Sequence, residues 1–191
     1  MQRKICRILN ILFLFLLISC NGNLSDFDRN RYKPNTRNID EKERKFFSNS
    51  SSYNTCKGGY YKIGQPYKVF GRTYYPKNYK EFTEIGMASW YGKDFHNKKT
   101  ANGEKYNMND MTAAHKTLPL PSIIKVINLE NGKSAIVRVN DRGPFNGERI
   151  LDVSKKVAKE LEFKDKGLTR VKIELLRKET DKYLKKCNFS I

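Results

Sequence analysis

Histidine occurs twice in this chain of 191 residues, tryptophan once and cysteine four times. No Cys-x-x-Cys pair and no cluster of His with Cys is present, so the sequence offers no set of metal ligands, and no cofactor is expected. Acidic residues are scarce as well, 20 Asp and Glu against 38 Lys and Arg, for a formal charge of +18. Long apolar runs are missing but for one near the start, Ile8 to Ile18, interrupted only by Asn10. As a helix it covers about 16 Å against roughly 30 Å of bilayer hydrocarbon, which argues against a permanent span.

The flanks of that run read as an export signal. Arg3, Lys4 and Arg7 precede it, no polar face interrupts it between Ile11 and Ile18, and Leu17-Ile18-Ser19-Cys20 places a small residue ahead of a cysteine. Residues 1–19 are expected to be a lipoprotein signal peptide, with lipid on Cys20 holding the mature chain to a membrane. Each buried CH₂ contributes about 0.8 kcal/mol, so two or more acyl chains make detachment negligible. Asn21, rather than an aspartate, follows the cysteine, and this points to the outer membrane, facing the periplasm. Losing the three leading cations leaves +15. In a cytoplasmic protein such an excess suits nucleic acid; export turns it toward anionic lipid or the carboxylates of peptidoglycan, or simply a solvated lysine surface. Cys6 departs with the signal. Cys56 and Cys187 remain, and in an oxidising compartment they could close a long loop worth nearly 5 kcal/mol in the chain-entropy model.

From residue 20 to 56 the chain is polar and reads as a linker with a root-mean-square reach of about 30 to 35 Å. Residues 57–85 alternate tyrosines and Phe70 with Gly and Pro, which predicts short strands packed on the main domain, with a sugar-stacking surface as the alternative. A strand is expected at Gly86 to Tyr91. Ser122 to Leu129 and Ser134 to Asn140 flank Asn131-Gly132, a hairpin signal. Ser154 is a candidate N-cap for a short helix bearing Val157, Ala158 and Leu161, and Thr169 to Leu176 alternates as a last strand. Residues 178–191 read as a basic tail. A mainly β domain over 86–177, small and in need of protected edges, is economical as a closed barrel.

The groups able to do chemistry concentrate between Gly86 and Asp152. Here stand GMASWYG (86–92), TANGE (100–104), TAAH and TLP (112–119), the Asn131-Gly132-Lys133 turn, VNDRGPF (139–145) and RILDVS (149–154). In this order they resemble the rare lipoprotein A family, secreted double-psi β-barrel proteins that include septal lytic transglycosylases. The resemblance implies a six-stranded double-psi β-barrel with a short helix. It also implies cleavage of peptidoglycan between N-acetylmuramic acid and N-acetylglucosamine, leaving a 1,6-anhydro end, with preference for peptide-poor strands. Carried over residue by residue, the family's acidic groups fall on Glu104 and Asp141 and its histidine on His115.

Such groups suit the reaction. Protonating a glycosidic oxygen while positive charge builds on the ring needs differently tuned carboxyls, and the substrate's own C6 hydroxyl can replace water. Asp141, beside a hairpin strand, is the expected proton donor, with Glu104 as electrostatic partner or base, although the two assignments can be exchanged. His115 either orients a carboxylate or is a structural histidine. Trp90, Tyr91, Asn140 and Arg142 are candidate substrate contacts. Neighbouring positions on a strand face opposite ways, so only one of Trp90 and Tyr91 is expected to reach the groove unless a bulge intervenes. Arg149 and Asp152 read as a structural pair. The competing readings are a glycan-binding lipoprotein with the same barrel but no catalysis, and a lipoprotein that merely couples membrane to wall. A monomer is expected. Many relatives carry a separate glycan-recognising domain after the barrel, and this chain's short remainder gives no such expectation of septal targeting.

Overall fold

The computed structural model describes residues 54–190; the signal peptide, Cys20 and nearly all of the linker lie outside them. Eight strands and two helices follow in the order β1 (Tyr67–Val69), β2 (Arg72–Tyr74), β3 (Thr83–Tyr91), β4 (Thr112–His115), β5 (Ser122–Asn128), β6 (Ser134–Asp141), β7 (Leu151–Ser154), α1 (Lys155–Glu160), β8 (Thr169–Leu175) and α2 (Arg177–Lys186). Six of the strands close into a barrel in the order β3-β7-β4-β6-β5-β8. The β3–β7 and β4–β6 pairs are parallel and the rest antiparallel. This is the six-stranded double-psi β-barrel, and it leaves none of the six strands as an edge.

Branched apolar side chains on the barrel strands account for its interior. Ile123, Ile124, Val126, Val137, Val139, Leu151, Val153, Val171 and Ile173 are completely buried. The β5–β6 turn forms where Asn-Gly predicts it: Gly132 takes a positive φ of 73°, its N–H donates to the Asn128 carbonyl, and Asn131 Oδ1 accepts from Lys133 N. Ser154 caps α1 by accepting from Val157 N at 3.2 Å.

Two strands and a helix depart from the sequence reading. β4 has all four residues buried and β7 three of four, so neither shows the alternation that marks a half-exposed strand. The expected basic tail is in fact helix α2. Only Thr180, Tyr183 and Leu184 are buried, a narrow stripe among charged residues. That stripe lies against β5, where Thr180 Oγ1 accepts from Ile123 N at 2.9 Å. Cys187, at the end of α2, is bonded to Cys56 with Cα atoms 5.6 Å apart, and Lys186 Nζ and Tyr183 Oη donate to the carbonyls of Asn54 and Thr55. The start of the described chain is thus fixed to the end of the barrel.

From there the chain runs along the barrel as a strap. Tyr60 N donates to Asn102 O at 2.9 Å, and Lys62 exchanges two backbone bonds with Leu120. The β1–β2 hairpin follows, its rings packed on Phe145.

Candidate active site

A cavity of about 450 Å³ is lined by residues of β3, β4, β6 and β7 and of the loop that follows Asp141, a volume in the range that accepts a small organic ligand. Two carboxylates line it, Asp141 and Asp152.

Asp141 is the last residue of β6, and a bulge sets its direction. Ala113 pairs with Val139 but Ala114 pairs with Asp141, so Asn140 is an extra residue on that strand. Regular alternation would put Asp141 on the side of Val137 and Val139, both fully buried. With the bulge, its carboxylate reaches the cavity instead. Oδ1 accepts from Ala101 N and Arg142 N, both at 2.8 Å; Oδ2 accepts no bond from the described residues. Burial raises the pKa of Asp141 above the ordinary carboxylate value, against the opposing effects of those two N–H groups and the charges of Arg142 and Lys62.

Asp152 enters from β7, held by two bonds from Arg149, Nε to Oδ1 at 2.9 Å and Nη2 to Oδ2 at 3.3 Å. The structural pair expected from sequence is therefore also part of the cavity wall. Tyr91 lines the same cavity. Its hydroxyl is buried, and its pKa is pushed well up by burial first and then by the charges of Asp141, Tyr106 and Asp152, against a lowering by the hydroxyl of Thr112.

Glu104 is not in the cavity. It is 3 % exposed, and its oxygens accept from Asn102 Nδ2 at 2.8 Å, from Asn140 Nδ2 at 2.9 Å and from the guanidinium of Arg138, itself 1 % exposed. Three donors and full burial make it the anchor of the loop whose Ala101 N–H holds Asp141. Gly59 seals this anchor from the strap side: at its φ of 82°, a Cβ would stand 2.8 Å from Asn102 O and 3.0 Å from Glu104 Cγ. Asn140 faces the same anchor as Arg138, two positions earlier on β6, and is 1 % exposed, so it does not line the cavity.

His115 is likewise buried, 2 % exposed. Nδ1 accepts from Thr117 N and Leu118 N at 3.2 and 3.1 Å, which assigns the proton to Nε2, 3.1 Å from Glu84 Oε2. Burial lowers its pKa, partly offset by Glu84, so a neutral imidazole ties β4 to the following turn. Arg142 lines the cavity but donates to the carbonyls of His115, Leu118 and Ile63 at 3.3, 2.6 and 2.7 Å. It is a strut between strap and barrel, with its donors turned from a ligand.

Trp90 and Tyr91 both line the cavity, where only one was expected. β3 pairs with β8 only as far as Ala88, and beyond it the chain turns at Gly92, against which the Trp90 ring packs while its Nε1 donates to Lys164 O at 2.9 Å. β7 still pairs with Trp90 and Tyr91 through Val153 and Ser154, so the end of β3 is held on one side alone, and both side chains border the cavity there. Phe70 and Phe95 complete the wall. Phe70 belongs to the aromatic stripe for which the sequence left a sugar-stacking surface as the alternative; Phe95 was passed over because it sits in a short 3₁₀ segment (Lys93–Phe95) with no periodic pattern to mark it. Among the described residues no group of His, Cys, Asp and Glu could hold a metal ion.

The family model described as lytic transglycolase matches residues 83–173, from β3 to β8. The chain is 51 % identical over 181 residues to a Rickettsia felis protein named endolytic peptidoglycan transglycosylase RlpA, covering 93 % of this chain and 77 % of that one. A Rickettsia bellii protein of the same name is 50 % identical over 181 residues, covering 93 % and 75 %. One from Neisseria meningitidis serogroup B is 62 % identical over 109 residues, 56 % of this chain and 46 % of the relative. Among solved structures, an expansin of Clavibacter michiganensis aligns over 50 % of each chain at 16 % identity and a TM-score of 0.40.

Proposed function

The chain belongs to the RlpA family, and from that membership we propose that it is an endolytic peptidoglycan transglycosylase, exported and associated with the cell wall. The bond cut is that between N-acetylmuramic acid and N-acetylglucosamine, in peptide-poor strands, leaving 1,6-anhydro ends. The observation that carries this reading is the bulge that brings Asp141, at a position matching the family's acid, into the cavity with its pKa raised by burial.

In this reading Asp141 Oδ2 carries the proton, since Oδ1 is engaged by two backbone donors. It gives that proton to the glycosidic oxygen as the bond to the muramic C1 breaks. Asp152, in its ion pair with Arg149, faces the positive charge that develops on the ring. The Asp141 carboxylate then takes the proton of the muramic C6 hydroxyl as that oxygen closes on C1. No water is consumed and Asp141 ends protonated, as it began. Glu104 and His115 act through position: the first fixes the loop that binds Asp141, the second the turn whose carbonyls hold Arg142.

Digestion of peptide-free glycan with purified residues 21–191, with products read by mass, tests this. Anhydro-muramic ends are expected. Binding without new ends would leave the non-catalytic glycan-binding lipoprotein, and reducing ends with added water would mean a hydrolase.

Lipid attachment at Cys20, supported by the Leu-Ile-Ser-Cys sequence, residence on the outer membrane, supported by Asn21 after the cysteine, and a monomeric state complete the proposal. Cys20→Ser is expected to move the protein from the membrane fraction to the soluble periplasm, and a variant that still sediments with membrane would reject the anchor.

A further inference from the structure

We infer that Phe70 and Phe95 are stacking platforms that hold sugar rings of the glycan strand where it enters and leaves the cavity, an inference that rests on the glycan-cutting reading above. Large apolar side chains are exposed at several places, but these two are the exposed ones that line the space containing Asp141 and Asp152.

Phe70 is 80 % exposed and sits at the tip of the β1–β2 hairpin with a φ of 46°, followed by Gly71 at 78°. A left-handed backbone is unfavourable for a bulky side chain, and Asn, Asp or Gly is the ordinary occupant of this turn position. An exposed ring gains almost nothing from burial. The residue therefore bears strain and apolar exposure with no return inside the fold, as expected for a group kept for an external partner.

The hairpin is braced at the cavity. Tyr67 and Tyr74 stack at 5.3 Å, both pack on Phe145 of the cavity wall at 6.0 and 5.7 Å, and Tyr67 Oη donates to Lys116 O at 2.7 Å. Phe95 is 53 % exposed. Its ring meets the Tyr91 ring edge-on at 5.9 Å, and the Lys98 ammonium lies 5.5 Å from its centroid. One platform is thus mounted on the loop after Asp141 and the other on the end of β3, which are separate walls of one cavity.

A pyranose presents C–H groups on its faces and hydroxyls around its rim. It can lie on an aromatic face while its rim stays solvated, which suits exposed rings beside a cavity that holds two carboxylates. Two such platforms favour a strand interior, where sugars extend both ways from the bond being cut. Peptide or lipid gives no reason for the rings to share a cavity with two carboxylates.

The test uses the mature chain and peptide-free glycan oligosaccharides of graded length. Binding is measured by calorimetry in an Asp141→Asn parent, and cleavage kinetics in the otherwise native chain. Phe70→Asn and Phe95→Ala are each expected to raise KM and weaken binding about tenfold, with kcat within about twofold, and Phe70→Trp should restore both. Phe70→Asn should leave Tm unchanged or raised, because Asn accepts the turn backbone; a residue that matters only to the fold would lower Tm along with binding. Unchanged KM and affinity in both variants, with the native chain still cutting, overturn the platforms and leave the activity standing. Affinity that depends on Phe70 in a chain that releases no anhydro ends keeps the platforms and overturns the activity.

Discussion

Asp141→Asn is expected to lower turnover of peptide-free glycan by about 10²- to 10⁴-fold, the usual contribution of a positioned proton donor, with glycan affinity retained. Asn keeps an oxygen for the Ala101 and Arg142 N–H groups, so the loop should not move. In the native chain, kcat/KM should fall as pH rises through the elevated pKa of Asp141, because only the protonated acid can donate, and the variant should lack that limb. Stability runs the same way with pH. The folded pKa lies above the unfolded one, so the stability Asp141 contributes is full at acid pH and declines as pH rises through the folded value. At neutral pH Asp141→Asn should therefore raise Tm slightly. A variant that keeps native turnover would remove Asp141 from the chemistry.

The second large effect is structural. Glu104→Ala would leave Arg138 charged, buried and unpaired, which costs about 3 to 5 kcal/mol and lowers Tm by roughly 10 to 20 °C in a domain of this size. Activity should fall with it, since the loop holding Asp141 loses its anchor. The double variant Glu104→Gln with Arg138→Met separates position from chemistry. It removes both charges, keeps an acceptor for Asn102 Nδ2 and offers a donor to Asn140 Oδ1, which has no partner among the described residues. Recovery of both Tm and turnover is the expected result, measured by thermal melts and glycan digestion. A stable double variant that remains as slow as Asp141→Asn would make Glu104 a reacting group after all.

These two residues also mark the limit of what a sequence conveys. Glu104 and Asp141 look alike in the chain, each a carboxylate beside a glycine-bearing loop, yet one is sealed inside and the other faces the cavity. The difference lies in Arg138 and in the bulge at Asn140. Arg138 in Val-Arg-Val reads as the solvent side of an alternating strand, and nothing local announces a partner 34 positions away. A bulge is a property of two strands in register, so one strand alone does not reveal it. The longer barrel strands were legible because their alternation or β-branched content is strong. β4 was not, since Thr112-Ala113-Ala114-His115 is buried throughout, and α2 was hidden because three inward residues do not outweigh its charges. The role of Asp152 was obscured by its tidy spacing from Arg149, which suggested a fastening and gave no hint that the fastening lines a cavity.

The bond between Cys56 and Cys187 has a mechanical side. If the chain before Cys56 is made fast to a membrane while the barrel grips a wall strand, every displacement between the two pulls on that chain. Without the crosslink, the load would run along the strap and peel it from Asn102 and Leu120, the contacts nearest Asp141 and Arg142. With it, tension reaches a covalent fixture at the end of α2 and passes directly into the helix packed on β5. The strap beyond Cys56 is slack while the line is taut, and the carboxylates keep their geometry under tow.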